Sequence, residues 1–385
     1  MRPLRNSKTN QCCHLISRIA HRAFFLNDEE KRYRGTLCRR ERKLEMTRLA
    51  KVAVALLAVM PPANFARELK PKVLQAMEEG AEVQVRLKVC DDSGSPVSNA
   101  SVRAFFDFDP KPHSFYGMTD ENGVCVVLGK TNGNRIEFAV VKDGYYGSRT
   151  EMTYVPMGNE HDVRDGKWQP YGELVSILLR RIANPVVLCS THEKKYKYTD
   201  AINEWIGYDL KVNDFVYPHG MGCDPDFEVC IDWDQVYSVN SERSGFKIRF
   251  TQPLAGYYAC PIESESEFQT PYNAVTNRTF KKESAFYDIR DGVREKKTFD
   301  KSRCWIVRSR CKMDEEDRLV AANYSVVRFL GMCGSRDLKV GFCCLGAFNP
   351  TPNDTNLEDA ETARKSRLKY KQMLEFEKAR KTRGK

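Results

Sequence analysis

The feature that most constrains the fold is a two-residue alternation of apolar and polar side chains between positions 81 and 148, broken at short intervals by turn-forming residues. Val83, Val85, Leu87 and Val89 alternate with Gln84, Arg86 and Lys88, a period that puts one set on each face of a strand. Asp91-Asp92-Ser93-Gly94-Ser95-Pro96 follows. Gly accepts a positive φ and Asp side chains bond the local backbone, so this run predicts a turn. Val102, Ala104, Phe106 and Phe108 alternate again, and Thr119-Asp120-Glu121-Asn122-Gly123 supplies a second turn with the Asn-Gly pair that favours hairpins. Val124, Val126 and Leu128 form the next alternating set; Ile136, Phe138 and Val140 precede a third turn at Asp143-Gly144. Short strands separated by such turns predict an antiparallel β-sandwich over 81–160.

The turn and core positions also carry a resemblance. Asp92, Gly94, Pro96, Val97, Ala100 and Val102, then Thr119, Asp120, Gly123, Gly144 and Tyr145, resemble the carboxypeptidase-regulatory-like family. That resemblance implies a sandwich of immunoglobulin or transthyretin type. It also implies a non-catalytic module, of the kind that serves as spacer or binding unit in bacterial envelope proteins. Cys90 and Cys125 depart from the pattern, standing where ordinary hydrophobes are usual.

Residues 165–350 read as a second β-rich domain. The apolar runs around Val175-Ser176-Ile177, Phe227–Trp233, Phe246–Phe250, Cys304–Cys311, Tyr324–Leu330 and Leu338–Phe348 predict short strands, and a long hairpin is expected around Asp314 to Asp317. The layout from Leu179-Arg180-Arg181 to Asn349-Pro350-Thr351-Pro352 is similar to large bacterial secreted proteins that append such a region to a regulatory-like domain. No activity comes with that likeness.

Residues 46–66 read as a secretory signal peptide: Arg48 and Lys51, an apolar run from Val52 to Met60, then small residues up to Ala66. The run is too short to span a bilayer, which takes about 20 residues. Residues 1–45 then stand as a non-native or disordered leader, and the expected destination is periplasmic, cell-envelope or extracellular. The 385-residue chain carries a net charge of +10, which alone would suggest nucleic acid. Residues 1–66, however, hold 14 Lys/Arg against 5 Asp/Glu, and 359–385 hold 10 against 4. The body between them is mildly acidic, which argues against a nucleic-acid surface. Residues 359–385 predict a basic helical tail with a short apolar stripe at Tyr370, Met373 and Leu374. It is read as solvated, with weak contact to an anionic membrane surface as the other option.

No dinucleotide fingerprint, phosphate loop or nucleophile elbow occurs in the sequence, and no cofactor is expected. The strongest reactive constellation is the 215–234 loop, with His219, Cys223, Asp224, Asp226, Cys230, Asp232 and Asp234. His219, Asp224 and Asp226 are weak metal-ligand candidates, since the spacing matches no strong zinc or calcium pattern. Eleven cysteines follow the signal-like segment, an odd number that leaves at least one outside intrachain pairing. Cys304 and Cys311, seven positions apart in one strand, are expected on opposite faces. The leading expectation is an exported, non-catalytic binding or scaffolding protein of the cell envelope, taking a glycan or another envelope protein. Its contact residues would be Tyr145, Tyr146, Tyr257, Tyr258 and Trp305. The alternative is a secreted hydrolase or metal-dependent enzyme with its site in the 215–234 loop.

Overall fold

All three turns form where the sequence asks for them. In the computed structural model the Asp91 carboxylate accepts the Ser93 and Ser95 N–H groups at 3.0 Å each and the Ser93 hydroxyl at 2.6 Å. Asp120 does the same for the Asn122 and Val124 N–H groups at 2.9 and 2.8 Å. Gly123 takes φ +72°, and a Cβ there would lie 2.4 Å from the Val89 carbonyl oxygen, so both conformation and space require glycine. The described residues are 70–383, apart from 109–111, 134, 155–161, 192–193, 236–241, 263–264, 288–298 and 335–339. They fall within one unit, Lys70–Lys385. The leader and the signal-like segment lie outside the described residues.

The chain is mainly β. Helix α1 (Pro71–Glu79) leads into β1 (Ala81–Asp91), β2 (Ser101–Phe106), β3 (His113–Met118), β4 (Val124–Thr131), β5 (Ile136–Val141), β6 (Ser148–Met152), β7 (Val163–Arg164), β8 (Lys167–Trp168) and β9 (Glu173–Leu179). One sheet runs β4-β1-β8-β7 with β9 also on β1, and a second runs β3-β2-β5-β6. Their inner faces share one core, in which Val85, Leu87, Val89, Ala104, Phe106, Phe138, Val140 and Trp168 are buried.

Two details depart from the sequence reading. Strand β4 turns the opposite face inward: Cys125 and Val127 are buried while Val126 and Leu128 are exposed. The five residues Val-Cys-Val-Val-Leu are apolar at both parities, so the alternation is ambiguous. The Asp120 turn decides it, by setting Lys88 opposite Val124 and Leu87 opposite Cys125. Strand β9, expected in the second region, belongs to the first. It pairs parallel to β1 from Val85 opposite Glu173 to Asp91 opposite Leu179, so this sheet is mixed rather than antiparallel throughout.

The rest comprises β10 (Cys189–Ser190), β11 (Lys197–Thr199), β12 (Trp205–Asp209), β13 (Asp214–Phe215), β14 (Phe227–Gln235), β15 (Glu242–Arg249), β16 (Gly256–Pro261), β17 (Glu283–Tyr287), β18 (Arg303–Met313), β19 (Leu319–Gly334) and β20 (Val340–Phe348), closed by α2 (Ala360–Arg383). One sheet is β10-β20-β19-β18-β16 with β11 on β20; the other is β13-β12-β14-β15-β17. Tyr208, Phe215, Phe246 and Ile248 of one share a core with Trp305, Val327, Phe342 and Phe348 of the other. The long hairpin is β18–β19, with Asp314 accepting the Arg318 N–H at 2.8 Å in its turn. The outer face of the first of these sheets is also covered: Tyr258, Cys304, Ile306 and Val326 pack with Ala274 and Leu357.

The two cores are tied together by polar contacts. Glu358, buried, accepts the Tyr146 hydroxyl at 2.9 Å and the Ala183 and Asn184 N–H groups at 2.8 and 2.6 Å. Arg181 donates to Asp91 at 2.7 Å, and the Ser93 hydroxyl and Arg181 together hold that carboxyl down at about 2. The C-terminal tail is helical, as expected, but it is not a free solvated helix. Asp359 caps it by accepting the Thr362 N–H at 3.0 Å. Ala363 is buried against Tyr146 and Phe268. Lys369 pairs with Glu267, and the Phe376 ring lies 5.1 Å from that of Tyr116 on β3. Among the described residues no helix is long and apolar enough to cross a membrane.

Candidate functional site

The loop singled out in the sequence is a continuation of the β12–β13 hairpin. Tyr208 stands opposite Phe215 and Asp209 opposite Asp214, and the chain then folds back so that Tyr217 N–H reaches the Gly222 carbonyl at 3.0 Å. The turn is tight: a Cβ on Gly222 would sit 2.7 Å from Asp209 Cβ.

Beneath it lies a charge network built from three distant parts of the chain. Asp209 accepts the N–H groups of Lys211, Cys223 and Asp224 at 2.9, 3.1 and 3.2 Å. Asp226, fully buried, accepts the Leu210 N–H at 2.7 Å and the Ser309 hydroxyl at 2.6 Å. Arg310 joins the two carboxylates, donating to Asp209 at 2.7 Å and to Asp226 at 3.0 Å. Its guanidinium lies over the Phe348 ring, 4.5 Å from the centroid. Burial works against a charged Asp209, yet the N–H groups of Cys223 and Asp224, with Arg310, outweigh it and hold the carboxyl below its ordinary value. Burial pushes Asp226 up, while Arg310 and the Ser309 hydroxyl pull it down.

Arg310 occupies the network at a backbone cost. Its φ is +49°, at a bulge where the β18–β19 register shifts between Ser309 and Lys312, and a left-handed non-glycine residue costs about 1–3 kcal/mol. At this bulge Cys311 packs against both the shared core and the outer cluster that holds Cys304.

The sequence-predicted residues therefore separate. Asp226 is a brace for the loop and is fully engaged. Asp224 is exposed, 3.7 Å from Arg310. His219 sits at the tip, and among the described residues its imidazole makes no hydrogen bond, to Cys223 or otherwise. No group of three or more His, Cys, Asp or Glu among the described residues could hold a metal ion. Tyr217 and Met221, by contrast, are held out with 81 and 83 % of their surface exposed.

The predicted aromatic contacts are mostly core. Tyr146, Tyr257, Tyr258 and Trp305 are buried. Tyr257 stacks on Trp305 with centroids 3.6 Å apart, and the Tyr258 hydroxyl accepts the Val275 N–H at 2.7 Å. Adjacent residues on a strand point to opposite faces, but β16 lies in a sheet covered on both faces, so both tyrosines are enclosed. Tyr145 is half-buried, with the Arg181 guanidinium 5.4 Å over its ring.

The exposed aromatics are others. Tyr196 and Tyr198, 41 and 44 % exposed, present rings 6.2 Å apart. Lys197 between them reaches Asp214 at 3.6 Å, fixing this edge to the hairpin. The alternation in Lys195-Tyr196-Lys197-Tyr198 was the signal for this pair, since tyrosines two apart on a strand share a face. Cysteine chemistry is muted: Cys90, Cys125, Cys189, Cys223, Cys304, Cys311 and Cys344 are free thiols. Burial pushes Cys125 up to about 11 and Cys304 and Cys344 to about 12, which suppresses the nucleophilic thiolate.

No protein-family profile matches the chain, and no curated protein matches it. Among solved structures, 3-chlorocatechol 1,2-dioxygenase from Rhodococcus opacus 1CP is similar over 27 % of this chain at 11 % identity and TM-score 0.22, and the match spans only 61 % of that enzyme's length. Chlorocatechol 1,2-dioxygenase from Pseudomonas putida is similar over 46 % of this chain and 99 % of its own, at 13 % identity and TM-score 0.21. BcpA, the major pilin subunit of Bacillus cereus, is similar over 72 % of this chain and 95 % of its own, at 12 % identity and TM-score 0.20. Scores this low decide neither sandwich type nor activity.

Proposed function

We propose that this chain is an exported, non-catalytic binding protein of the bacterial cell envelope that recognises a glycan. The observation that carries the reading is the Tyr196–Tyr198 pair: two exposed rings at the start of strand β11, one just before it and one within it, anchored through Lys197 to a hairpin whose buried ions are engaged in bracing. Tyrosine combines an apolar ring with a polar hydroxyl, which suits it to stacking on the apolar face of a sugar. The engagement of Asp209 and Asp226 by Arg310, and a loop histidine whose imidazole makes no hydrogen bond among the described residues, favour binding over hydrolysis. The first two sheets are read as a carboxypeptidase-regulatory-like sandwich of immunoglobulin or transthyretin type, supported by their shared core and by the Asp and Gly turns. The second β-rich region carries the binding edge.

Replacing Tyr196 and Tyr198 by alanine, singly and together, tests the platform, because both side chains are exposed enough to remove without opening a core. Each single change should weaken binding to envelope oligosaccharides by about tenfold. Unchanged affinity in the double variant would remove the platform from the reading. Export rests on the signal-like residues 46–66. Intact mass spectrometry of the protein from host fractions should find a chain beginning near Arg67 in the envelope or secreted fraction. A cytosolic chain that retains residues 1–45 would end the export claim.

A further inference from the structure

Strand β19 carries a second arginine in an unusual setting. Arg328 stands opposite Leu345 on β20, on the sheet face opposite the Phe329 and Phe342 core. Its Nη1 donates to Gln269 Oε1 at 2.5 Å, while its Nε is buried with no hydrogen-bond partner. The Ser190 hydroxyl is likewise buried without a partner. Arg328 and Ser190 are among the residues that line an open cavity of about 130 Å3 between this sheet, the 267–270 segment and the start of α2.

No carboxylate among the described residues pairs with Arg328. The two acids on the cavity wall are used elsewhere: Glu267 accepts the Ser366 hydroxyl at 2.5 Å and pairs with Lys369, and Asp359 caps α2 through Thr362. Cys304, beside Arg328, is kept neutral by burial and supplies no counter-charge. Burial presses the Arg328 guanidinium below its ordinary value, as expected of a cation taken from water without an anion.

We infer that this cavity is a binding site for a single carboxylate group, held by the Arg328 Nε edge and the Ser190 hydroxyl. A planar carboxylate matches the guanidinium fork. Glu267 and Asp359 on the wall disfavour a dianion such as phosphate. The volume admits a carboxyl group with a few attached atoms, so a larger ligand would extend out of the cavity.

The site deepens the glycan reading and rests on it for its most specific form. Tyr196 Oη lies 3.2 Å from where a Cβ on Gly331 would stand, and Gly331 is three residues beyond Arg328. Neither tyrosine lines the cavity, and what relates the two is position along β19: the inferred ligand is an acidic sugar whose ring stacks on the tyrosines while its carboxylate reaches Arg328.

Calorimetric titration of the full chain with glucuronate, acetate, inorganic phosphate and glucose tests this. Glucuronate should bind more tightly than acetate, phosphate and glucose should be much weaker, and Arg328→Met should weaken glucuronate by tenfold or more. Ser190→Ala, which removes only a hydroxyl, should weaken it several-fold and keeps the test valid if Arg328→Met does not fold. Saturating glucuronate should also raise the melting temperature of the unaltered chain and not that of Arg328→Met. Phosphate binding as tightly as glucuronate, or glucuronate binding unchanged in both variants, would overturn the site. If glucuronate and acetate bind equally through Arg328, and Tyr196→Ala and Tyr198→Ala change nothing, the carboxylate site stands and the glycan platform fails. If neutral oligosaccharides bind through the tyrosines while Arg328→Met has no effect, the platform stands and the carboxylate site fails.

Discussion

Arg310→Met is expected to destabilise the protein by about 3–5 kcal/mol, the usual cost of removing one partner from a buried ion network. Among the described residues, the change removes the one cation bonded to Asp226, a carboxylate with no exposed surface, and strips one of four donors from Asp209. Methionine restores neither the hydrogen bonds nor the favourable contact over Phe348. Urea unfolding should show a lower midpoint, and amide exchange should accelerate first at Cys223 and Asp224, whose N–H groups depend on Asp209 staying in place. Adding Asp226→Asn to Arg310→Met should recover part of the loss, because the remaining buried charge is then gone. A loss under about 1 kcal/mol, with unchanged exchange in the hairpin, would show that the network does not brace it.

Glu358→Ala is expected to cost roughly 2–3 kcal/mol: one buried donor loses its acceptor outright, at about 1–3 kcal/mol, and two N–H groups on exposed residues lose bonds that water can partly replace. These are the Tyr146 hydroxyl and the Ala183 and Asn184 N–H groups. The residue joins Tyr146, between β5 and β6 of the first region, to the segment that enters α2, so the loss should appear as separated unfolding of the two regions rather than as a uniform shift. Tyr146→Phe is the milder control: it removes one donor and leaves Glu358 with two N–H groups, for about 1 kcal/mol. Equal effects of the two substitutions would mean that the backbone N–H groups gain nothing from Glu358.

What could be read from the sequence was what the chain decides locally. Asp91, Asp120 and Gly123 announce their turns because each acts on atoms within a few residues, and Asp314 announces the β18–β19 hairpin in the same way. The inward face of β4 was not legible, because its apolar residues occupy both parities and only the register with β1 chooses between them. The parallel pairing of β9 with β1 joins residues nearly ninety positions apart, and no local pattern encodes it. Burial of Tyr257 and Trp305 depends on the facing sheet of the shared core, and burial of Tyr258 on a further layer that includes Ala274 and Leu357. The 215–234 loop stood out in the sequence by its density of acids and thiols. Asp226 in it serves Arg310, a residue 84 positions further on, and that partner turns an apparent ligand into a brace. The left-handed backbone at Arg310 has no signature in the surrounding Val-Arg-Ser-Arg-Cys.

Recovery of the bound glycan tests binding without catalysis most directly. The full chain, incubated with end-labelled acidic envelope oligosaccharides and then displaced by excess unlabelled sugar, should release them at their original length, with retention reduced by Tyr196→Ala and Tyr198→Ala and unaffected by His219→Ala. Shortened oligosaccharides at a rate abolished by His219→Ala would contradict it and make the 215–234 loop an active site.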